Sequence, residues 1–152
     1  EKTRLVRFLR PRLDGRGPEV GRFDFLAFTF HWARSRKGRW VLKQKTARDR
    51  FSRALSALNR WMRRARHVPI WKQARTFGWK LSGHFNYYGI RGNSGSITRF
   101  AYEARRLWRK WLGRRSQRAL LTWEKFNRLL RRYPLPPARL RRGGRQLRLA
   151  NL

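Results

Sequence analysis

The side chains able to run acid–base or metal chemistry near neutral pH are few in this chain: seven carboxylates and three histidines among 152 residues, with no cysteine. Asp14, Asp24 and Asp49 are dispersed, and none has an acid beside it. A two-metal polymerase or nuclease centre needs convergent carboxylates, which this spacing does not supply. His31, His67 and His84 have no Cys, Asp or Glu at ligand spacing, so no metal site is expected. Neither a Walker-type Gly-Lys-Ser/Thr loop nor a nucleophile elbow is present. The expectation is a chain with no catalytic residue, no metal and no cofactor of its own, and so no enzyme by itself. The absence of cysteine excludes disulfides and fits a reducing compartment.

The chemistry on offer is cationic. Forty-one Lys and Arg leave a formal charge of +34, a self-repulsion that calls for a polyanion as partner. Arg60, Arg63, Arg64, Arg66, Lys72 and Arg75 form one cluster with no acid among them. Arg99, Arg105, Arg106, Arg109, Lys110, Arg114, Arg115 and Arg118 form another against Glu103 alone, and Arg91 lies between the two. Like charges at helical i,i+3 and i,i+4 spacing destabilise an isolated helix, and nucleic-acid phosphate removes that penalty. Arginine outnumbers lysine, which favours bidentate phosphate contact and stacking on bases, and hence folded RNA over plain duplex DNA. Acidic membrane is the rival polyanion, but no apolar run approaches the roughly 20 residues of a spanning helix, and no signal-peptide pattern appears at Glu1. Trp61, Trp108, Trp111 and Trp123 fall at helical spacing and read as core. Trp71, Trp79 and Tyr87 fall off the main stripe of their helix and are candidates for base stacking, with Trp79 and Tyr87 added to the RNA-contact set.

Several elements must position these residues. Residues 4–9 read as a short strand, Pro11–Gly21 as a loop, and Arg22–Trp32 as one strand. That strand places Phe23, Phe25, Ala27 and Thr29 on one face and Asp24, Leu26, Phe28 and Phe30 on the other. Ser35–Gly38 is a turn signal returning Arg39–Gln44 as a hairpin partner. From Thr46 the period changes to 3.6, with Thr46 and Asp49 as a capping box and Phe51, Leu55, Leu58 and Met62 on one stripe. A second helix starts at Pro69 or Ile70 and carries Ile70, Ala74, Phe77, Leu81, His84 or Phe85, and Tyr88 inward. A third spans about Ser96 to Leu112, with Ile97, Phe100, Ala101, Ala104, Leu107, Trp108 and Trp111 inward. A fourth is capped by Ser116 and buries Leu120, Trp123, Phe126 or Asn127, and Leu130. The weakly charged stretch Leu81–Asn93 is predicted to end helix two and turn into helix three, with Gly83, His84, Tyr88 and Gly89 as a structural hinge and His84 a hydrogen-bonded core residue. The expected fold is α+β, mainly α: a short β hairpin element (1–44), a three- to four-helix basic bundle (45–133), and a Pro-rich extended segment and basic tail (134–152), of which the tail from Arg139 onward orders on a partner.

Some of these residues carry a family likeness. Lys2-Thr3-Arg4-Leu5, Phe25-Leu26-Ala27-Phe28-Thr29-Phe30 and Leu81-x-Gly83-His84-Phe85-x-Tyr87-Tyr88-Gly89 resemble the C-terminal part of group II intron maturase/reverse transcriptases. Trp108-x-Lys110-x-Leu112-x-Arg114-Arg115-Ser116-Gln117-Arg118 and Arg132-Tyr133-Pro134-Leu135-Pro136 are similar to the same region. The resemblance implies that residues 1–44 correspond to the last palm strands and about 46–133 to the thumb, or maturase-specific domain X. It further implies a splicing cofactor that binds structured group II intron RNA and steadies the ribozyme, whose Mg²⁺ does the chemistry. A DNA target met as a ribonucleoprotein and an upstream reverse-transcriptase fragment are further partners it allows. The compartment it implies is bacterial cytoplasm or an organelle. The family usually has Gly where Ala27 stands, and its paired-aspartate polymerase motif and HNH nuclease module are missing here. Two other readings stand beside this one: a reverse-transcriptase thumb whose palm lies upstream or on another chain, and an RNA scaffold protein of ribosomal type.

Overall fold

A computed structural model describes residues 8–11, 21–116 and 121–140. The chain divides into two compact units, Glu1–Arg50 and Phe51–Leu152. It is mainly helical, with a small antiparallel sheet preceding the helices.

In the first unit, β1 (Arg22–Phe25), β2 (Phe28–Arg34) and β3 (Trp40–Thr46) form a three-stranded meander in the order β1-β2-β3. The expected single strand Arg22–Trp32 is therefore a hairpin. Leu26 and Ala27 are its two connecting residues, with φ of 47° and 70°, and Phe25 faces Phe28 across the turn. Positive φ at both central residues is the signature of a type I′ turn, usually written Asn-Gly, so Leu-Ala conceals it. The reversal places Phe23 opposite Phe30 on one face, rings stacked at 5.2 Å, instead of on opposite faces. Asp24 pairs with Thr29 on the other face and accepts its hydroxyl hydrogen bond. Phe8 stacks on Trp32 at 5.5 Å but belongs to no strand, and the rest of the strand expected over residues 4–9 lies outside the described residues. The β2–β3 turn at Ser35–Gly38 forms as its sequence predicts, with Gly38 at φ 73° donating its N–H to the Ser35 carbonyl.

In the second unit, α1 (Arg48–Arg64) runs into one 3₁₀ turn (Ala65–His67), followed by α2 (Ile70–Tyr88), α3 (Ser94–Gly113) and α4 (Trp123–Arg132). Helix α1 starts at Arg48, one residue later than the Ala47 start that a Thr46 cap sets. Thr46 closes β3, and Asp49 lies in the first turn, where the positive end of the helix dipole favours it. Helix α3 is the core's spine, burying Ile97, Phe100, Ala101, Ala104, Trp108, Trp111 and Leu112 along one stripe. Against it lie Leu58 and Met62 of α1, Phe77, Leu81 and Phe85 of α2, and Phe126 of α4. The Phe77 and Trp108 rings meet at 5.2 Å, and truncating either to Ala would cost about 3–5 kcal/mol. Ser116 does not cap α4. Thr122 does, accepting from the Lys125 N–H, and Trp123 is exposed while Phe126 is the buried ring. Leu120 is outside the described residues.

Two polar devices set the helix directions. Gln73, buried in α2, donates its amide to the Ala65 carbonyl at 2.5 Å and reaches those of Arg66 and Val68 at 3.2 Å. Its amide oxygen accepts from Trp108 Nε1 at 3.0 Å. The Ala65 carbonyl also accepts the Val68 N–H at 2.9 Å, so Gln73 adds to that turn's own bond and ties the segment after α1 to α2 and α3. The second device is the α2–α3 turn. Gly83 and His84 lie within α2, not at a hinge, and the reversal occupies Gly89–Asn93. Asn93 is almost wholly buried and donates Nδ2 to the Tyr88 carbonyl at 2.8 Å, while Gly92 takes φ 92°. A side chain at Gly83 would meet nothing within 4 Å, whereas at Gly89 it would strike the Phe85 carbonyl oxygen and stand 3.0 Å from that of Arg139. Gly89 is therefore required by close packing of backbone. Arg139 belongs to the Pro-rich stretch after α4, whose Tyr133, Leu135 and Ala138 pack onto the core and strap the bundle along α2.

Candidate nucleic-acid interface

The last turns of α1 and α3 lie side by side and enclose an open groove of about 820 Å³. Arg60, Arg63 and Arg66 line one wall, Lys110 and Arg114 the other, with Asn59, Trp111, Gly113 and Ser116 between them and no acid in the lining. Spacing of three residues explains the first wall: Arg60 and Arg63 lie one turn apart on α1, and Arg66 follows in the 3₁₀ turn. The floor is a single polar bond, Trp111 Nε1 to Asn59 Oδ1 at 2.7 Å, which ties α3 to α1. Lys110 and Arg114 hold their cationic heads 5.6 and 5.4 Å from the Trp111 ring, so one indole organises both cations of the second wall. The negative dipole ends of α1 and α3 fall here too, which lowers the cost of collecting cations at both termini.

What such a groove can do is bind phosphate. Like-charged neighbours one turn apart repel by about 0.2–0.5 kcal/mol per pair when solvated. Phosphate oxygens between them turn that repulsion into charge-assisted hydrogen bonds. Glu103 pairs with Arg106 at 3.4 Å and Glu124 with Arg128 at 3.4 Å, both outside the lining. Among the described residues no three of His, Cys, Asp and Glu converge as metal ligands would, and no helix is long and apolar enough to cross a membrane.

The other candidate contacts are scattered. Arg64 and Arg105 are exposed on α1 and α3, away from the groove lining, and Arg91 is exposed in the α2–α3 turn. Arg99 sits 5.5 Å over the Phe51 ring, and Arg106 is held between Glu103 and Tyr102. Arg109 is partly buried, its guanidinium 4.3 Å over Trp123 of α4, which makes it a bridge between helices. Arg115 donates to the Val68 carbonyl at 3.0 Å and braces the α1–α2 corner. Lys72, Arg75 and Trp79 share the outer face of α2, and Tyr87 is exposed near its end. Arg118 lies outside the described residues. The basic clusters on either side of the Leu81–Asn93 stretch thus meet between α1 and α3, fixed by Asn59 and Trp111, and the stretch itself carries none of the groove.

Of the presumed hinge residues, Tyr88 packs against the core and His84 lies face to face on Phe100, rings 3.5 Å apart and 10° from parallel. Burial pushes the His84 pKa down to about 4, and its Nε2 is buried without a hydrogen-bond partner, so stacking rather than a polar bond holds it. Asn59 and Gln73 were the residues that periodicity missed. Each is one polar position on an otherwise ordinary helix, and only its partner 52 or 35 residues away reveals its role. Compared with protein-family models, curated proteins and solved structures, the chain matches none.

Proposed function

We propose that the helical unit binds structured RNA, gripping consecutive phosphates in the α1–α3 groove. The observation that carries this reading is the lining itself: five cations from two helices and no carboxylate, in a chain with a formal charge of +34. Nothing within the lining neutralises that charge, so the groove is complementary to a polyanion. Arg supplies four of the five, and its planar guanidinium can donate to two phosphate oxygens at once. The chain's role is then binding, and any reaction belongs to its partner.

The likeness of Leu81–Gly89 to group II intron maturases narrows the partner to intron RNA, with the chain as a splicing cofactor. The type I′ turn supports that likeness on physical grounds: Ala27 occupies a left-handed conformation that favours the family's usual Gly. Filter binding to a structured intron RNA across a salt series tests the RNA reading. If all five cations meet phosphate, the log–log slope is roughly −3.5 to −4.5. Arg60→Glu with Arg114→Glu should lower affinity by at least about tenfold and flatten the slope. A slope near zero sinks the groove as a phosphate site. Equal affinity for an unrelated RNA of the same length would leave RNA binding standing and remove the intron.

A further inference from the structure

The groove leaves unexplained the face of α2 that points away from the core. Trp71 and Trp79 stand there two turns apart, 49 % and 64 % exposed, although two indoles of this size would each contribute far more to stability if buried. Between them in the sequence, at the same helical spacing, is Arg75. Its guanidinium lies 5.7 Å from the Trp71 ring and 5.2 Å from the Trp79 ring, and Lys72 lies 5.2 Å from Trp71. Helix α2 has no carboxylate along its length. Beyond Trp79 the same arc continues with Ser82, Gly83 and Asn86, all small and uncharged, and a side chain at Gly83 would meet open space.

We propose that this face is a stacking platform for unpaired nucleotides of the bound RNA. Trp71 and Trp79 offer the ring surfaces, and Arg75 and Lys72 hold the phosphates between them. The inference rests on the RNA reading of the groove. The dimensions agree: the two indoles are about 12 Å apart along the helix axis at 1.5 Å per residue. A strand advancing about 3.4 Å per nucleotide covers that distance in roughly three steps. Exposed aromatics alternating with cations and lacking acids are what a single strand requires, because every base has a face to stack and every step a charge to neutralise. The bare arc after Trp79 lets the strand continue close to the helix. An acidic protein segment would match the cations but would not need two flat rings at this spacing.

The experiment uses the full chain and three probes: a blunt RNA duplex, the same duplex with a short single-stranded overhang carrying 2-aminopurine, and the labelled strand alone. The overhang should tighten binding by roughly 5- to 100-fold per stacked base and quench the probe. Trp71→Ala and Trp79→Ala should each remove that gain while leaving the blunt duplex unchanged, and Trp79→Phe should retain most of it. Groove variants should weaken blunt and overhanging duplexes equally. If blunt binding follows salt and the groove variants but the overhang adds nothing, the platform is wrong and the groove stands. If blunt binding ignores both, the groove reading fails while the labelled strand still reports on the platform. A labelled strand that is not quenched overturns the platform outright. So does loss of phosphatidylserine-vesicle binding in Trp79→Ala with overhang affinity intact, which would assign the face to a membrane.

Discussion

The cationic groove and the polar corner beside it share Arg66, whose side chain lines one and whose carbonyl belongs to the other. In the corner, every polar group described is spoken for: Gln73 serves three partly buried carbonyls and the buried Trp108 N–H. In the groove, five cations stand together with no carboxylate in the lining. Satisfied polar groups in a low-dielectric interior fix one geometry and stabilise it. Like charges left in solvent weaken the fold slightly, a cost that the proposed RNA would offset. The difference separates a region that the fold uses for itself from one whose charge the fold does not use.

That contrast can be broken by substitution, and the corner should give the largest effect. Gln73→Leu keeps the volume but strands the Trp108 N–H and removes a bond from the carbonyls of Ala65, Arg66 and Val68, of which Ala65 keeps the Val68 N–H and Val68 keeps Arg115, so it should cost about 2–4 kcal/mol in denaturant melts. A loss below half that would mean that water replaces Gln73 and the corner is not what sets the α1–α2 angle. Next come the two glycines of α2 and its end. Gly89→Ala meets backbone on two sides and should cost about 1–3 kcal/mol. Gly83→Ala enters open space inside a helix and should gain about 1 kcal/mol. If Gly83→Ala destabilises instead, the stretch is a hinge after all.

His84 gives a smaller, pH-dependent effect. Its pKa is about 4 in the fold against 6.5 unfolded, so the unfolded chain takes the proton first as pH falls. Stability from this residue is therefore constant above about pH 6.5 and falls steadily towards pH 4. His31, also lowered by burial, adds a slope of the same sign, so the parent must be compared with His84→Phe, which should flatten the thermal-melt profile between those limits. An unchanged profile would place the acid-sensitive step elsewhere. The smallest effect belongs to the groove. Arg63→Gln should raise stability by a few tenths of a kcal/mol, because it removes repulsion from Arg60 and Arg66. The same change should weaken RNA binding, and a variant losing both stability and binding would make Arg63 a structural residue.

Much of the bundle was legible because helical spacing is a local property. Leu58 and Met62, Phe77 and Leu81, and the α3 stripe from Ile97 to Trp111 all lie inward where a period of 3.6 puts them. Failures came where a local signal was ambiguous or disguised. Leu26-Ala27 carries the φ values of a glycine-rich turn without its residues, so two strands read as one. Gly83 looked like a breaker, yet one glycine costs a helix only about 1 kcal/mol, which the packed neighbours Leu81 and Phe85 outweigh. Ser116 and Thr122 are both competent caps, and the choice between them falls to the register that buries Phe126.

The candidate site was legible as a list and not as a surface. Composition fixed a formal charge of +34, the ground for proposing a polyanion as partner, and helical period determined which basic residues share a face. Which face meets which was decided only in three dimensions. Asn59 and Trp111 are 52 residues apart, and Gln73 and Trp108 are 35 apart. A repeat of 3.6 residues contains no information about contacts at that distance. Close packing selects one arrangement of the helices, the one that fills the core around Trp108 and gives its N–H the Gln73 amide oxygen. That arrangement gathers five of the many arginines and lysines into a groove, lays Arg109 on Trp123 and Arg115 on a carbonyl, and leaves Trp71 and Trp79 facing solvent.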